Sequence, residues 1–198
     1  MTLVLVGLPI TALLAADETK LIGPPLGLKF GMPYSEVATI LKGKDIEIDK
    51  PKEEKKYKLP DGFKVAKVGK YEVLDRKTDP NLACFNADGE LCAFQIVFRW
   101  IGDDAPNARK FLDGDLKKAI EGKYSGEGFK KHTDPDIDGN VPEVAFRDEV
   151  GNEIGVFYAS GISESLLGKM AVSAIWIQYY NEEIVKETRK QQKKTEDL

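Results

Sequence analysis

The sequence predicts an α+β protein in which antiparallel sheet packs against two helices. In both halves of the 198-residue chain, apolar and polar residues alternate, which is typical of half-buried antiparallel strands. Each set of strands follows a segment with apolar residues at helical spacing. A hydrophobic content of 42% and a charged content of 31% are those of an ordinary soluble domain. Either two similar α-then-β halves, at 17–103 and 104–180, or one larger sheet carrying both helices fits this pattern.

The N-terminal segment predicts export. Residues 2–16 are uncharged, rich in Leu, Val, Ile and Ala, and end in Leu14-Ala15-Ala16 before Asp17. A short apolar run closing on small residues is typical of a secretory signal peptide, here 1–16. The run is too short to cross a bilayer as a helix, so we expect no transmembrane segment. A buried strand or helix of the mature fold is the alternative, and export would make the protein periplasmic or secreted.

The first helix is predicted just after Pro33. Proline suits a first helical turn, and Val37, Ile40 and Leu41 share one face at spacings of three and four. Gly43 is placed to end the helix. Alternation then predicts strands around 63–68, 71–74, 82–85 and 91–101.

A hairpin is predicted between the last two of these strands. If Ala87, Asp88 and Gly89 form a three-residue loop, Asn86 faces Glu90. Cys84 then falls directly opposite Cys92, which favours a disulfide in an exported chain. Two small buried thiols are the alternative, and a two-residue turn would shift the register.

The second half repeats this order. A second helix is predicted over 105–120, where Gly114 weakens helix formation by about 1 kcal/mol. Strands follow around 144–146, 154–158 and 170–180, and a charged helical tail is predicted at 181–198.

An aspartate-rich segment resembles the first half of a calcium loop. Carboxylates or amides at alternate positions can converge on one ion, and the candidates are Asp134, Asp136, Asp138 and Asn140. Ala145 stands where the bidentate glutamate of a complete loop belongs. A surface turn whose aspartates cap backbone N–H groups is the alternative. Apart from calcium, the sequence predicts no cofactor.

Four aromatic residues are candidates for a protein interface. They are Trp100, Trp176, Tyr179 and Tyr180, near the ends of predicted strands. Such residues anchor interfaces when exposed, and they fill the core between sheet and helix when buried.

Catalytic motifs are weak. His132 is the one histidine, and Gly161-Ile162-Ser163-Glu164-Ser165 lacks the final glycine of a nucleophile elbow. The net charge of −4 provides no basic field for nucleic acid. The sequence therefore favours a protein without catalytic activity.

The segment Gly27–Leu41 resembles the opening of the BamE/OmlA-type and BLIP-like small periplasmic proteins. In those families an antiparallel sheet follows, with a hairpin similar to Asp88-Gly89-Glu90-Leu91. This chain lacks the lipidated cysteine. The resemblance implies a non-catalytic fold that binds another protein, such as an inhibitor or an envelope assembly accessory. A hydrolase or a small-ligand carrier with a sheet-lined pocket is the alternative.

Overall fold

The computed structural model describes residues 21–54, 57, 59–136, 139–165, 168–184 and 186–187. The predicted signal peptide at 1–16 lies outside the described residues, and so does 188–198 of the predicted tail. Residues 182–184 and 186–187, which begin that tail, are helical. Among the described residues, no helix is both long and apolar enough to cross a membrane.

The fold is α+β, as predicted, and is dominated by one antiparallel sheet. In chain order its described helices are α1 (Tyr34–Lys42), α2 (Asn107–Phe111) and α3 (Lys117–Tyr124). The strands are β1 (Lys64–Val68), β2 (Glu72–Val73), β3 (Arg76–Lys77), β4 (Asn81–Phe85), β5 (Leu91–Ile101), β6 (Phe129–His132), β7 (Val144–Asp148), β8 (Glu153–Ser165) and β9 (Gly168–Tyr180). Seven strands form the main sheet in the order β1-β4-β5-β9-β8-β7-β6, while β2 and β3 form a small separate ribbon.

The two halves of the chain meet inside the main sheet. β5 comes from the first half and β9 from the second, and they pair from Ala93↔Tyr180 to Ile101↔Val172. Of the two arrangements that fit the sequence, the structure therefore has the single sheet that carries both helical segments.

One face of the sheet, here called the covered face, packs against the helices. Alternate residues of β5 point to it, and each is almost fully buried: Phe94, Ile96, Phe98 and Trp100. The ring of Phe98 lies 5.3 Å from that of Phe111 on α2, edge to face. This face contains most of the hydrophobic core.

Helix α1 begins and ends as the sequence predicts. Pro33 stands at its N-cap in extended conformation. At the C-cap, the Gly43 backbone N–H donates to the Thr39 carbonyl at 3.1 Å and the Lys44 N–H donates to the Leu41 carbonyl at 2.9 Å. Val37 and Leu41 are fully buried and anchor the helix on the covered face.

The second helical segment differs from the predicted 105–120. It runs from Asn107 to Tyr124 and changes to π-helical geometry at Leu112–Leu116, around Gly114. Leu112 and Leu116, which lie four residues apart in this π-helical turn, are both fully buried in the core. The helix continues to Tyr124 because that ring is buried, 5.2 Å from the ring of Phe129.

Strands β8 and β9 extend beyond their neighbours as a two-stranded ribbon. They pair from Glu153↔Tyr180 to Ser165↔Gly168, whereas β5 ends at Ile101. On the other side, β7 pairs with β8 only as far as Val156. The second half of β8 therefore forms a free edge of the sheet.

Candidate ligand-binding pocket

The face of the sheet opposite the helices, here called the open face, contains a half-open pocket of about 270 Å³. Neighbouring strands supply its floor in two rows. One row runs Val65, Cys84, Ala93 and Tyr180, and the next runs Leu82, Gln95 and Gln178. Because paired residues of adjacent strands point to the same face, these side chains meet above four strands.

The described part of the pocket lining is uncharged. It contains no Asp, Glu, Lys, Arg or His, in a chain that is 31% charged. Its residues are Tyr57, Leu59, Val65, Leu82, Cys84, Ala93, Phe94, Gln95, Asn140, Trp176, Gln178, Tyr180 and Ile184. An ion entering this pocket would lose hydration without gaining a counter-charge, so the lining favours neutral, largely apolar ligands.

The ring of Trp176 forms one wall of the pocket and stacks on Phe157. The rings of Trp176 and Phe157 stack at 5.7 Å with an interplanar angle of 10°. Gly155 makes room for this stack, because a Cβ at that position would lie 2.7 Å from the Phe157 ring. Trp176 is partly exposed and lines the pocket, so it presents an aromatic surface to a ligand.

Gln178 provides a polar group on the floor. The residue is 8% exposed, and its Oε1 atom has no hydrogen-bond partner among the described residues. A buried acceptor of this kind costs about 1–3 kcal/mol while unpaired. A ligand that carries an N–H or O–H donor would remove that cost, so Gln178 can select for such a donor.

The cysteines lie in the pocket floor, in a register that differs from the prediction. The three-residue loop forms as expected: the Asn86 N–H donates to the Glu90 carbonyl at 2.9 Å, and Gly89 has a φ of +81°. A β-bulge then shifts the pairing, so Cys84 faces Ala93 and Cys92 is the extra residue. The predicted direct opposition of Cys84 and Cys92 is therefore wrong.

The same bulge turns Cys92 to the open face beside Cys84. Both thiols are buried and free, and the Cys92 Sγ lies 3.3 Å from the Cys84 carbonyl oxygen. A hydrogen bond with the Cys84 side chain, together with burial, raises the pKa of the Cys92 thiol far above its ordinary value. The two thiols are thus neighbours, and the disulfide stays a prediction.

The aspartate-rich segment borders the pocket through Asn140. The Asp136 carboxylate accepts the backbone N–H of Asn140 at 2.8 Å and also its side-chain amide. The Asp134 carboxylate accepts a hydrogen bond from the Arg147 guanidinium at 2.8 Å. Asp138 lies outside the described residues, and the part of the chain that is described shows no cluster of metal-ligating side chains. Asp136 thus caps a turn that holds Asn140 at the pocket, and calcium binding stays a prediction.

The four candidate interface aromatics fall in two places. Trp100 and Tyr179 are buried in the core of the covered face, at 1% and 3% exposure, so they fill the core. Trp176 and Tyr180 line the pocket. Sequence reasoning missed Gln95 and Gln178, which look like ordinary solvent-facing positions of alternating strands.

His132 lies away from this site. It ends the edge strand β6, and its Nδ1 is 3.7 Å from the Asp134 carboxylate. Neither residue is among the described residues that line the pocket, so that lining contains no histidine–acid pair.

The fold and the site define the class: an α+β protein with one helix-covered sheet and, on the opposite face, a pocket whose described lining carries no charge. Comparisons with protein-family models, curated proteins and solved structures gave no match. What the pocket binds must therefore be argued from its own geometry.

Proposed function

We propose that this protein is a non-catalytic binding protein that holds a small, neutral, largely aromatic ligand in the open-face pocket. The observation that carries the proposal is the uncharged lining, which combines the Trp176 ring with the buried acceptor of Gln178. A volume of about 270 Å³ suits a ligand of one or two rings. This is the ligand-carrier alternative of the sequence analysis.

A matched series of three probes tests the proposal. Naphthalene is neutral without a donor, 1-naphthol is neutral with one O–H donor, and 1-naphthoate is an anion of the same ring system. We expect 1-naphthol to bind most tightly, because its O–H can donate to Gln178. We expect 1-naphthoate to bind at least roughly tenfold more weakly, because it cannot recover its hydration in an uncharged pocket. Isothermal titration calorimetry measures all three.

Two variants separate the roles of the lining. Trp176→Ala removes the aromatic wall and should weaken 1-naphthol and naphthalene alike, by roughly tenfold. Gln178→Leu should weaken 1-naphthol and leave naphthalene unchanged. Val172→Ala, on the same face and strand as Trp176 but outside the pocket, is the matched control.

Protein binding, the leading expectation from the sequence, is the other outcome of this test. A protein partner could place an apolar side chain in the same pocket. The small-ligand proposal is wrong if none of the three probes binds and if a purified partner protein binds the unaltered chain but not the Trp176→Ala variant. Equal binding of the anion and the neutral probes would also contradict it.

A further inference from the structure

A pair of free thiols lies at the floor of the open-face pocket. Cys84 is among the lining residues, and its side chain is hydrogen-bonded to that of Cys92. Cys92 is 0% exposed and is not among the described residues of the lining, so a ligand in the pocket meets Cys84 first. Two neighbouring thiols that form a disulfide release two electrons and two protons together. The floor of the pocket therefore holds a two-electron reductant next to the space for a ligand.

The unpaired acceptor of Gln178 distinguishes the two redox forms of a neutral ring compound. A quinone carries carbonyl acceptors, whereas the hydroquinone formed from it by two electrons and two protons carries two O–H donors. The Gln178 Oε1 atom is buried and has no hydrogen-bond partner among the described residues. Because the hydroquinone can donate to this acceptor and the quinone cannot, the pocket favours the reduced form.

The thiol and the acceptor lie within reach of one two-ring ligand. Cys84 is on β4 and Gln178 is on β9, with β5 between them in the sheet. Neighbouring strands are about 4.8 Å apart, so the two backbones are separated by about 10 Å across the strands, and both side chains shorten that gap. A flat molecule the size of naphthalene suits the pocket volume of about 270 Å³ and the aromatic wall of Trp176. One bound ring system can thus contact both groups.

We propose that the pocket binds a neutral quinone and that the Cys84–Cys92 pair reduces it to the hydroquinone. This inference rests on the proposed function, since a quinone is a neutral aromatic ligand of the same pocket. Peroxides also oxidise thiols, but they use neither the Trp176 wall nor the Gln178 acceptor, so these two groups favour a quinone as the oxidant. The reaction is stoichiometric: each chain reduces one quinone until an added thiol reductant restores the pair.

The reduction takes two steps. The Cys84 sulfur first bonds to one carbon of the quinone C=C bond, and the carbonyl conjugated with that bond takes up the displaced electron pair and a proton. The hydrogen bond with Cys84 and burial raise the pKa of Cys92, so Cys92 keeps its proton during this step. The Cys92 sulfur then attacks the Cys84 sulfur, and the S–S bond forms as the carbon–sulfur bond breaks. The released electron pair and the second thiol proton convert the other carbonyl into a hydroxyl, which completes the hydroquinone.

Anaerobic incubation of the full chain with 2,3-dimethyl-1,4-naphthoquinone tests the reaction. Methyl groups at both ring positions prevent the first adduct from losing a ring proton and becoming a stable thioether. We expect one equivalent of hydroquinone per chain by absorbance, with the loss of two hydrogens from the protein by mass spectrometry. Cys84→Ser and Cys92→Ser should each abolish the reduction, whereas Val172→Ala, outside the described lining, should leave it unchanged. Saturating 1-naphthol should slow the reduction, because it occupies the same pocket.

A binding experiment tests the role of Gln178 separately. In the double variant Cys84→Ser with Cys92→Ser the ligand cannot react, so anaerobic calorimetry can compare the quinone with its hydroquinone. We expect the hydroquinone to bind roughly tenfold more tightly or better, because its O–H donates to Gln178. Gln178→Leu in the same background should remove that preference.

The outcomes separate this inference from the proposed function. If 1-naphthol binds but the quinone stays oxidised, or if saturating 1-naphthol does not slow its reduction, the quinone reduction is wrong and the pocket proposal stands. Equal affinity for quinone and hydroquinone would overturn the selection of the reduced form by Gln178. If neither 1-naphthol nor the quinone binds, the proposed function fails and the quinone reduction fails with it.

Discussion

Joining Cys84 and Cys92 should stabilise the fold, and the structure allows the size of the effect to be worked out. The bulge places both thiols on the open face, with Cys84 in the pocket floor, so an oxidant can reach Cys84 from the pocket. A small neutral disulfide such as 2-hydroxyethyl disulfide would exchange with Cys84. The Cys92 sulfur would then attack the Cys84 sulfur of the mixed disulfide, and two 2-mercaptoethanol molecules would leave with the two thiol protons. The protein loses two electrons in total.

The stabilisation follows from the short loop between the two residues. Closing a loop of nine residues, 84–92, removes chain entropy worth about 2.5 kcal/mol from the unfolded state. For a chain of this length, about 1 kcal/mol shifts the melting temperature by roughly 2–4 °C. We therefore expect the oxidised protein to melt about 5–10 °C higher than the reduced protein. Strain introduced at the bulge would lower this figure.

The assay compares melting temperatures after equilibration with 2-hydroxyethyl disulfide or with 2-mercaptoethanol, while mass spectrometry counts the hydrogens lost. Cys84→Ser with Cys92→Ser is the matched control, and its melting temperature should not depend on the redox buffer. Two free thiols after equilibration with 2-hydroxyethyl disulfide would refute the reasoning about access and proximity. A disulfide that forms without raising the melting temperature would refute the entropy argument. Isolation of the disulfide from native material would agree with the predicted export.

Three further predictions concern stability. Gly155→Ala should destabilise the fold by about 1–2 kcal/mol in urea unfolding, because its Cβ would displace the buried Phe157 ring; an unchanged free energy would show that the ring moves freely. Burial of the Glu143 carboxyl acts to raise its pKa, but the hydrogen bonds from Lys117 and then Arg109 together outweigh burial and lower the pKa of Glu143. The stabilisation is present above the ordinary carboxyl pKa near 4 and is lost as pH falls through the lowered value, so Glu143→Gln should flatten the acid limb of the melting profile. Millimolar calcium tests the predicted ion site: binding to the folded protein should raise the melting temperature relative to a chelator, and an unchanged melting temperature would contradict the site.

The sequence predicts the regular elements well because their signals are local. Strand β5 occupies Leu91–Ile101, as its alternation indicates, and α1 follows its proline and glycine boundaries. The bulge gives no such signal. Leu91, Cys92, Ala93 and Phe94 form a continuous apolar run, so a period of two fits equally well with or without an extra residue. The cysteine register was wrong for this reason.

The sequence does not predict the pocket, because the pocket is formed by segments that lie far apart in the chain. Gln95 and Gln178 occupy polar positions of alternating strands, which is the pattern of a solvated face. They line a pocket because residues around Leu59 and Ile184, far away in the chain, flank the same face. No short-range pattern encodes that arrangement.

Three sequence features that are ambiguous when taken one by one lie together on the open face of the sheet. A cysteine pair, an aspartate-rich turn and a strand tryptophan each have an ordinary structural explanation in the sequence. The structure brings Cys84, Asn140 and Trp176 to one pocket, with Asp136 holding the Asn140 turn in place. Oxidation of the cysteines and binding of a neutral ligand would therefore act on the same floor. A bound ligand should slow the oxidation of Cys84, and Trp176→Ala should remove that protection without changing the rate in the unliganded protein. If a bound probe leaves the oxidation rate unchanged, the probe and the thiols do not share this pocket.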